Sequence, residues 1–433
     1  MATFSNSLRH VKAHLAELVP EQQIFHICRE LAHTWRKRTL DPAVTVQLFL
    51  LQLLAKVALG GLRHAAQIPV SASAICQACQ RLPLRLFMEL VGRCLPKLTQ
   101  PSLWKGMMIF LADGMSFMTP DTPTLAGRFG KPQNQRGASY GYPAPKLLAL
   151  MDLTGGFIAK VIALPWARHE LSCLSRLFGA VLAAAGEHAA LLLGDRGLVS
   201  FAHLALLTRA GIHGCFRLPR WQVVFARGKG SRRLIKRLGP QDLLVRWNAC
   251  RRPAWLSQKR WQPLSKTELT LRQIAFRVCR KGFRTHWAWI ITTLSDPRQY
   301  PAPELIKLYG KRWQIEVYFR DLKQTLGMKM LSARTVTGVQ KEILAFVLLY
   351  NLIRRVMQQA ARRQEVLPDR ISFIDALRWL LWSSPGQTLG KLKVNRLRLR
   401  RSPPRRLKNA RHRFPQLNAT RAQLSKPPCC VML

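Results

Sequence analysis

The sequence predicts an α/β fold: a mixed sheet preceded by a helical segment and interrupted by a β-rich insertion. Three observations predict it. Short apolar runs at 107–112 and 189–193 each stop at an aspartate, as buried strands do where they reach the rim of a sheet. Two more apolar runs, 147–151 and 157–164, flank the turn-forming stretch Asp152-Leu153-Thr154-Gly155-Gly156 and read as a hairpin. A helix opens at Pro303-Glu304, where a proline and an acid both suit a first turn, directly after a tryptophan-rich basic stretch.

In chain order, residues 1–100 read as a helical amino-terminal domain. Asp41-Pro42 is a cap followed by a proline at the first helical position. Val46, Leu48, Leu50, Leu51, Leu53 and Leu54 then describe a buried helix, which Gly60-Gly61 is expected to end. Further short helices are expected around Arg81-Leu82-Pro83. Residues 101–210 form the first part of the core, with strands at 107–112, 147–151, 157–164 and 189–193 and a helix over 170–185.

Residues 211–286 carry 19 Lys and Arg against two acids, Asp242 and Glu268. Tryptophans 221, 247, 255 and 261 interleave there with β-like pieces such as Gln222-Val223-Val224-Phe225, giving a β-rich basic insertion. Residues 287–385 hold a returning strand at 287–294, a helix from 303 to Gly327 and carboxy-terminal helices. From 386 to 433 a basic tail follows, whose sparse apolar content predicts partial disorder.

The balance of 69 Lys and Arg against 21 Asp and Glu, a formal charge of +48, points to a polyanionic partner, most commonly nucleic acid. The ten cysteines are scattered, and the single pair Cys76-Gln-Ala-Cys79 is half of a zinc site, so reduced thiols in a cytosolic protein are expected. The amino terminus is polar, and the longest apolar stretch, 43–62, is broken by Gln47, Gln52 and Lys56. No membrane partner is therefore expected.

With so few acids, their placement carries information. Asp113 and Asp195 sit at strand ends, where a sheet presents side chains to a ligand; each alone also reads as a turn or cap residue. On the helix from 303, Tyr309, Arg312, Glu316 and Lys323 are spaced by 3, 4 and 7, with Arg320 beside them. At about 100° per residue the four fall within roughly 60° of arc. Such a stripe is either a solvated, ion-paired face or an acid set among phosphate-binding cations. Phosphoryl transfer with two Mg²⁺ ions would unite the three acids, because such ions require hard carboxylate oxygens.

Tyr309-x2-Arg312-x3-Glu316-x6-Lys323 matches the Tyr-Arg-Glu-Lys signature, and the chain resembles the insertion sequence four family of DDE transposases. Asp113-Gly114 with Met118-Thr119-Pro120-Asp121-Thr122-Pro123, Gly194-Asp195-Arg196-Gly197 and Tyr350-Asn351-Leu352-Ile353-Arg354 resemble other blocks of that family, over roughly residues 40–360.

The resemblance implies a ribonuclease H-like core, a mixed sheet with helices on both faces. In it Asp113, Asp195 and Glu316 bind catalytic Mg²⁺ or Mn²⁺, two ions in all. Tyr309, Arg312, Arg320 and Lys323 are expected at the DNA backbone. Trp289 stands where some members stack a flipped base, and also reads as an ordinary strand aromatic. Met115 stands where many relatives have threonine.

The implied activity is cutting transposon ends at terminal inverted repeats and joining them to target DNA. A homodimer on DNA and a cytoplasmic, nucleoid-associated location are expected with it. A catalytically inactive, transposase-derived DNA-binding protein is the alternative.

Overall fold

The computed structural model describes residues 19–395 except 37, 67, 94, 96–102, 135, 226–230, 280–284 and 384–386. Most of the basic tail lies outside the described residues. The described chain clusters into two compact units. The first comprises 19–104, 113–170 and 314–395, the second 105–112 and 171–313.

In the first unit, five helices come in succession: α1 Glu21–Glu30, α2 Pro42–Ala55, α3 Leu59–Ala66, α4 Ala72–Arg81 and α5 Leu84–Arg93. Asp41 caps α2 as expected, its Oδ1 accepting the Val44 N–H at 2.8 Å with Pro42 at the first position. The expected stop at Gly60-Gly61 is not where α2 ends. Lys56 takes the left-handed conformation (φ 54°) and closes the helix after Ala55, and both glycines lie inside α3. Gly61 has a packing reason: a Cβ there would meet Val57 Cγ1 at 2.9 Å.

After a short helix α6, Pro123–Phe129, strands β2 Lys146–Asp152 and β3 Ile158–Leu164 form the expected antiparallel hairpin. Asp152 is its turn residue, accepting from the Gly155 and Phe157 N–H groups. The long helix Val336–Arg363 grips this hairpin. Its Asn351 amide bonds both the N–H (2.9 Å) and the carbonyl (3.0 Å) of Ile158, and Arg354 Nε donates to Gly155 O at 2.8 Å. The Tyr350–Arg354 segment therefore has a structural task in pinning the hairpin turn. That helix is long and apolar enough to span a membrane, yet 72% of its most apolar window is buried against α2, α5, β3 and the helix Phe373–Trp382.

In the second unit, residues Met107–Ala112 of β1 (Met107–Ser116) run parallel to β4 Ala189–Gly194, and β4 runs parallel to β5 Ile212–Arg217. Residues of the two central runs are buried almost throughout, which is why they read as unbroken apolar stretches rather than alternating ones. The turn-and-helix segment before β4, a 3₁₀ helix Glu170–Leu177 and then α7 Phe178–Ala185, replaces the single helix expected over 170–185. Helix α8 Phe201–Arg209 makes the crossover from β4 to β5.

Antiparallel neighbours extend the sheet from β5 through β9 His286–Thr292, β8 Glu268–Val278 and β7 Asp242–Asn248 to β6 Arg232–Gly239. The insertion thus contains the expected strands, plus a helix α9 Gln258–Ser265. Gln222-Val223-Val224-Phe225 is not a strand. Val224 instead exchanges hydrogen bonds with the Gln273 side-chain amide, donating at 2.8 Å and accepting at 2.9 Å, so a side chain takes the place of a ladder partner.

The fold is mixed α/β with the strand pattern of a ribonuclease H-like core: an antiparallel β2–β3 hairpin and parallel neighbours β1, β4 and β5.

Candidate active site

Parallel pairing of β1 with β4 ends with Ala112 opposite Gly194. The next residue along each strand is one of the two singled-out aspartates. Asp113 is half-buried, and its Oδ1 accepts the Gly114 N–H at 2.8 Å. β1 continues past it to Ser116, beyond the expected stop. Met115, the departure from the family pattern, is buried, so its thioether belongs to the core.

Asp195 is half-buried at the start of a 3₁₀ turn, Arg196–Leu198. Its side chain makes no capping hydrogen bond to that turn, so its carboxylate is not explained as a helix cap. The preceding carbonyl, Gly194 O, accepts a hydrogen bond from the Tyr309 hydroxyl at 3.3 Å. Gly194 is itself required, because a Cβ would meet the Phe216 ring at 2.6 Å.

The helix expected from 303 to 327 is divided. It comprises α10 Ala302–Gly310, a 3₁₀ turn Lys311–Trp313, α11 Gln314–Arg320 and a π turn Asp321–Thr325, after which Gly327 (φ 92°) ends it. The single open stripe is therefore not formed. A 3₁₀ turn advances about 120° per residue rather than 100°; Tyr309, in the helix before it, and Arg312, within it, both face inward, at 3% and 4% exposure. The Arg312 guanidinium lies over the Trp313 ring, 4.9 Å from its centroid. Glu316 and Arg320 are exposed and Lys323 is half-buried. Arg320 pairs with Asp321 at 3.8 Å.

Burial is the largest cause raising the Tyr309 pKa, and the neighbouring Asp195 charge adds to it. The phenol therefore stays a hydrogen-bond donor. Burial, and then Lys329, lowers the Lys323 pKa.

Asp113 and Glu316 belong to the first unit and Asp195 to the second. Within the first unit, the chain just after Asp113 is tied to the chain just after the Glu316 helix: Met118 N–H donates to Lys329 O at 3.0 Å and Leu331 N–H to Met118 O at 2.9 Å. All three candidates are carboxylates, the donor chemistry that Mg²⁺ or Mn²⁺ requires. Among the described residues, no three His, Cys, Asp or Glu side chains are gathered into a group that could hold a metal ion.

Trp289, on β9, lines a cavity of about 1060 Å³ in the second unit. Sequence reading missed the other members of that wall, among them Arg217, Arg220, Arg237 and Trp287. The interleaving of arginine and tryptophan from 211 to 287 was the available signal. Glu170 packs its side chain against Gly114, where a Cβ would meet its Cγ at 2.7 Å. His169 and His286 are exposed.

The transposase DDE domain family matches residues 104–352. "Transposase InsG for insertion sequence element IS4" of Escherichia coli (strain K12) is 27% identical over 368 residues, 80% of this chain and 78% of that protein. "Putative transposase InsZ" of the same organism is 25% identical over 217 residues, 48% of this chain and 71% of that protein. Among solved structures, a piggyBac transposase synaptic complex with hairpin DNA aligns at 8% identity and a TM-score of 0.44, over 87% of this chain and 79% of that one.

Proposed function

Because the chain belongs to the transposase DDE domain family, we propose that it is an insertion-sequence transposase that cuts its element's terminal inverted repeats and joins the freed ends to target DNA. Divalent metal ions serve DDE transposases generally. Here Asp113, Asp195 and Glu316 would hold two Mg²⁺ or Mn²⁺ ions through carboxylate oxygens. When bound, such ions activate the attacking water or hydroxyl and stabilise the leaving oxygen of the phosphodiester.

The chain's own residues supply the rest. Tyr309 anchors the Gly194 carbonyl and so holds the backbone from which Asp195 projects. With Tyr309 and Arg312 buried, the DNA-backbone contacts fall to Arg320, which is exposed, and Lys323, which is half-buried. Trp289 is available to an extruded base from the wall of its cavity. Pairing two transposon ends calls for at least a homodimer on DNA, acting in the cytoplasm at the nucleoid.

The observation that carries the reading is the end of β4, where Asp195 spends no side-chain hydrogen bond on the turn that follows it. The test uses the full chain on duplex DNA carrying the flanking repeats, with Mg²⁺ and then with EDTA. Mg²⁺-dependent nicking is expected, and Asp195→Ala should lower it by more than the roughly 10–100-fold that loss of an outer-shell partner costs. Nicking that survives Asp195→Ala overturns the site. Specific binding without nicking by the unaltered chain favours the inactive, DNA-binding alternative.

A further inference from the structure

A cavity of about 350 Å³ lies behind the helix that carries Glu316, wholly within the first unit. Gln314, Val317 and Tyr318, at positions i, i+3 and i+4 of α11, share the helix face that lines it. At about 100° per residue, Glu316 falls roughly 150° from the middle of that face. The cavity and the candidate metal ligand thus occupy opposite sides of one short helix. The far wall comes from Arg354 and Met357 of the helix Val336–Arg363 and from the start of the helix Phe373–Trp382.

Much of that wall is apolar. Met357 and Phe373 are buried, while Val317 and Ile374 are open to solvent at 42% and 48% exposure. Set into it are acceptors that nothing satisfies. Asp321, the first residue of the π turn, lines the cavity and is only 8% exposed. Its carboxylate accepts no hydrogen bond from a described residue, and its ion pair with Arg320, at 3.8 Å, is too long to be one. Asp369 takes both the Tyr318 hydroxyl (3.0 Å) and Arg354 (2.9 Å) on Oδ1, which leaves Oδ2 without a hydrogen bond among the described residues. Gln314 Oε1 is buried and has no hydrogen-bond partner either.

Polar atoms left in this state are costly, and a ligand that brings donors relieves them. Two cations also line the cavity, but neither is turned to it. Arg354 is committed to Gly155 O and Asp369, and the Arg320 side chain is 57% exposed. An entering anion would meet two carboxylates, whereas a cation with several N–H groups would find unspent lone pairs. A bare metal ion is served less well, since Mg²⁺ or Ca²⁺ needs six or more oxygens and much of this wall is hydrocarbon. The volume falls at the lower end of the ~300–1,000 Å³ range of small-molecule sites.

We propose that this cavity binds a small organic cation, an ammonium, amidinium or guanidinium on a compact apolar body. The charged head lies at Asp321 and Asp369, and the body packs against Val317, Phe373 and Ile374. The site shares no residue with the proposed metal ligands or with the cavity of Trp289, and it stands independently of the proposed action on DNA.

The test uses the full-length chain labelled with methyl-¹³C methionine, at about pH 7.5, where Asp321, with its carboxyl pushed up to about 6, is ionised. The probe is benzamidine, an amidinium on a flat apolar ring, and neutral benzamide is its near-isostere. The Met357 methyl resonance, identified by its loss in Met357→Leu, should shift saturably with benzamidine. A dissociation constant of about 10 mM or tighter is expected for a ligand of this size. Benzamide should bind about tenfold or more weakly, and Asp321→Asn should weaken benzamidine by a similar factor, as loss of a charged hydrogen-bond partner does. Ile374→Trp, at a solvent-open position, should narrow the cavity and weaken binding with little change in melting temperature. No saturable shift at Met357, equal binding of benzamide, or unchanged affinity in Asp321→Asn overturns the proposal. If Asp321→Asn fails to fold, Ile374→Trp decides, and undiminished binding there overturns the proposal. No cleavage is read, so failure of the proposed metal site leaves this result standing, and the reverse also holds.

Discussion

The hydroxyl of Tyr309 donates to the carbonyl of Gly194, the residue immediately before Asp195, across 115 positions of sequence. A signature residue expected at the DNA is thus joined to the strand end that carries a candidate metal ligand. The phenol's pKa is raised by burial and by the Asp195 charge, so the bond persists throughout the range in which the protein is assayed.

Tyr309→Phe removes this one bond and keeps the ring. Stability should fall by only about 0.5–1.5 kcal/mol, the net worth of one hydrogen bond. Cleavage should fall roughly 10–100-fold, with more Mg²⁺ needed for half-maximal rate, as when an outer-shell partner is lost. A Mg²⁺ titration of the nicking rate reads this out, and an unchanged midpoint would count against the anchoring role. No phenol titration should shape the pH–rate profile below about pH 9.

Gly156→Ala should cost about 2–4 kcal/mol. Gly156 has φ 70°, which an alanine adopts at a cost of roughly 1–2 kcal/mol. Its new Cβ would also collide with the Arg354 guanidinium. Arg354 cannot swing away cheaply: it is buried, bonded to Gly155 O and to Asp369 Oδ1 (2.9 Å), and stacked 4.9 Å over Tyr318. Gly179→Ala is the control, since a Cβ there meets nothing within 4 Å and helix α7 gains propensity. Denaturant unfolding of the two variants should give opposite signs.

Asp321 makes stability depend on pH. Burial pushes its carboxyl up to about 6, with Arg320 and Arg354 acting the other way. A native pKa above the unfolded one means that the folded state holds the proton more tightly. This stabilisation is complete below the ordinary carboxylate range, about pH 4, and is lost as pH rises to about 6. The loss is on the order of 3 kcal/mol. Asp321→Asn should flatten that part of the melting-temperature profile, and an unaltered slope would show that the carboxyl titrates normally.

Much of the fold was legible because its signals are local. Apolar runs ending at Asp113 and Asp195, the Asp41-Pro42 start and the Asp152 turn each depend on residues within a few positions, where strand period, capping and turn chemistry act. The misread pieces depend on distant partners. Gln222–Phe225 looks like a strand, but Val224 is satisfied by Gln273, 49 residues away. Lys56 closes α2 in a conformation that its side chain does not announce.

The sequence by itself determined which chemistry was available: the carboxylates at strand ends, the spacing of Tyr309, Arg312, Glu316 and Lys323, and the surplus of cations. Only the tertiary structure decided which of those side chains face inward. A spacing argument assumes one helical period from 303 to 327, and the 3₁₀ turn at Lys311–Trp313 and the π turn at Asp321–Thr325 change that period on either side of Glu316. Tyr309 and Arg312 are buried, whereas Glu316 and Arg320 remain at the surface. A buried polar group needs a partner, and chain segments far apart in sequence supply it, as Gly194 does for Tyr309.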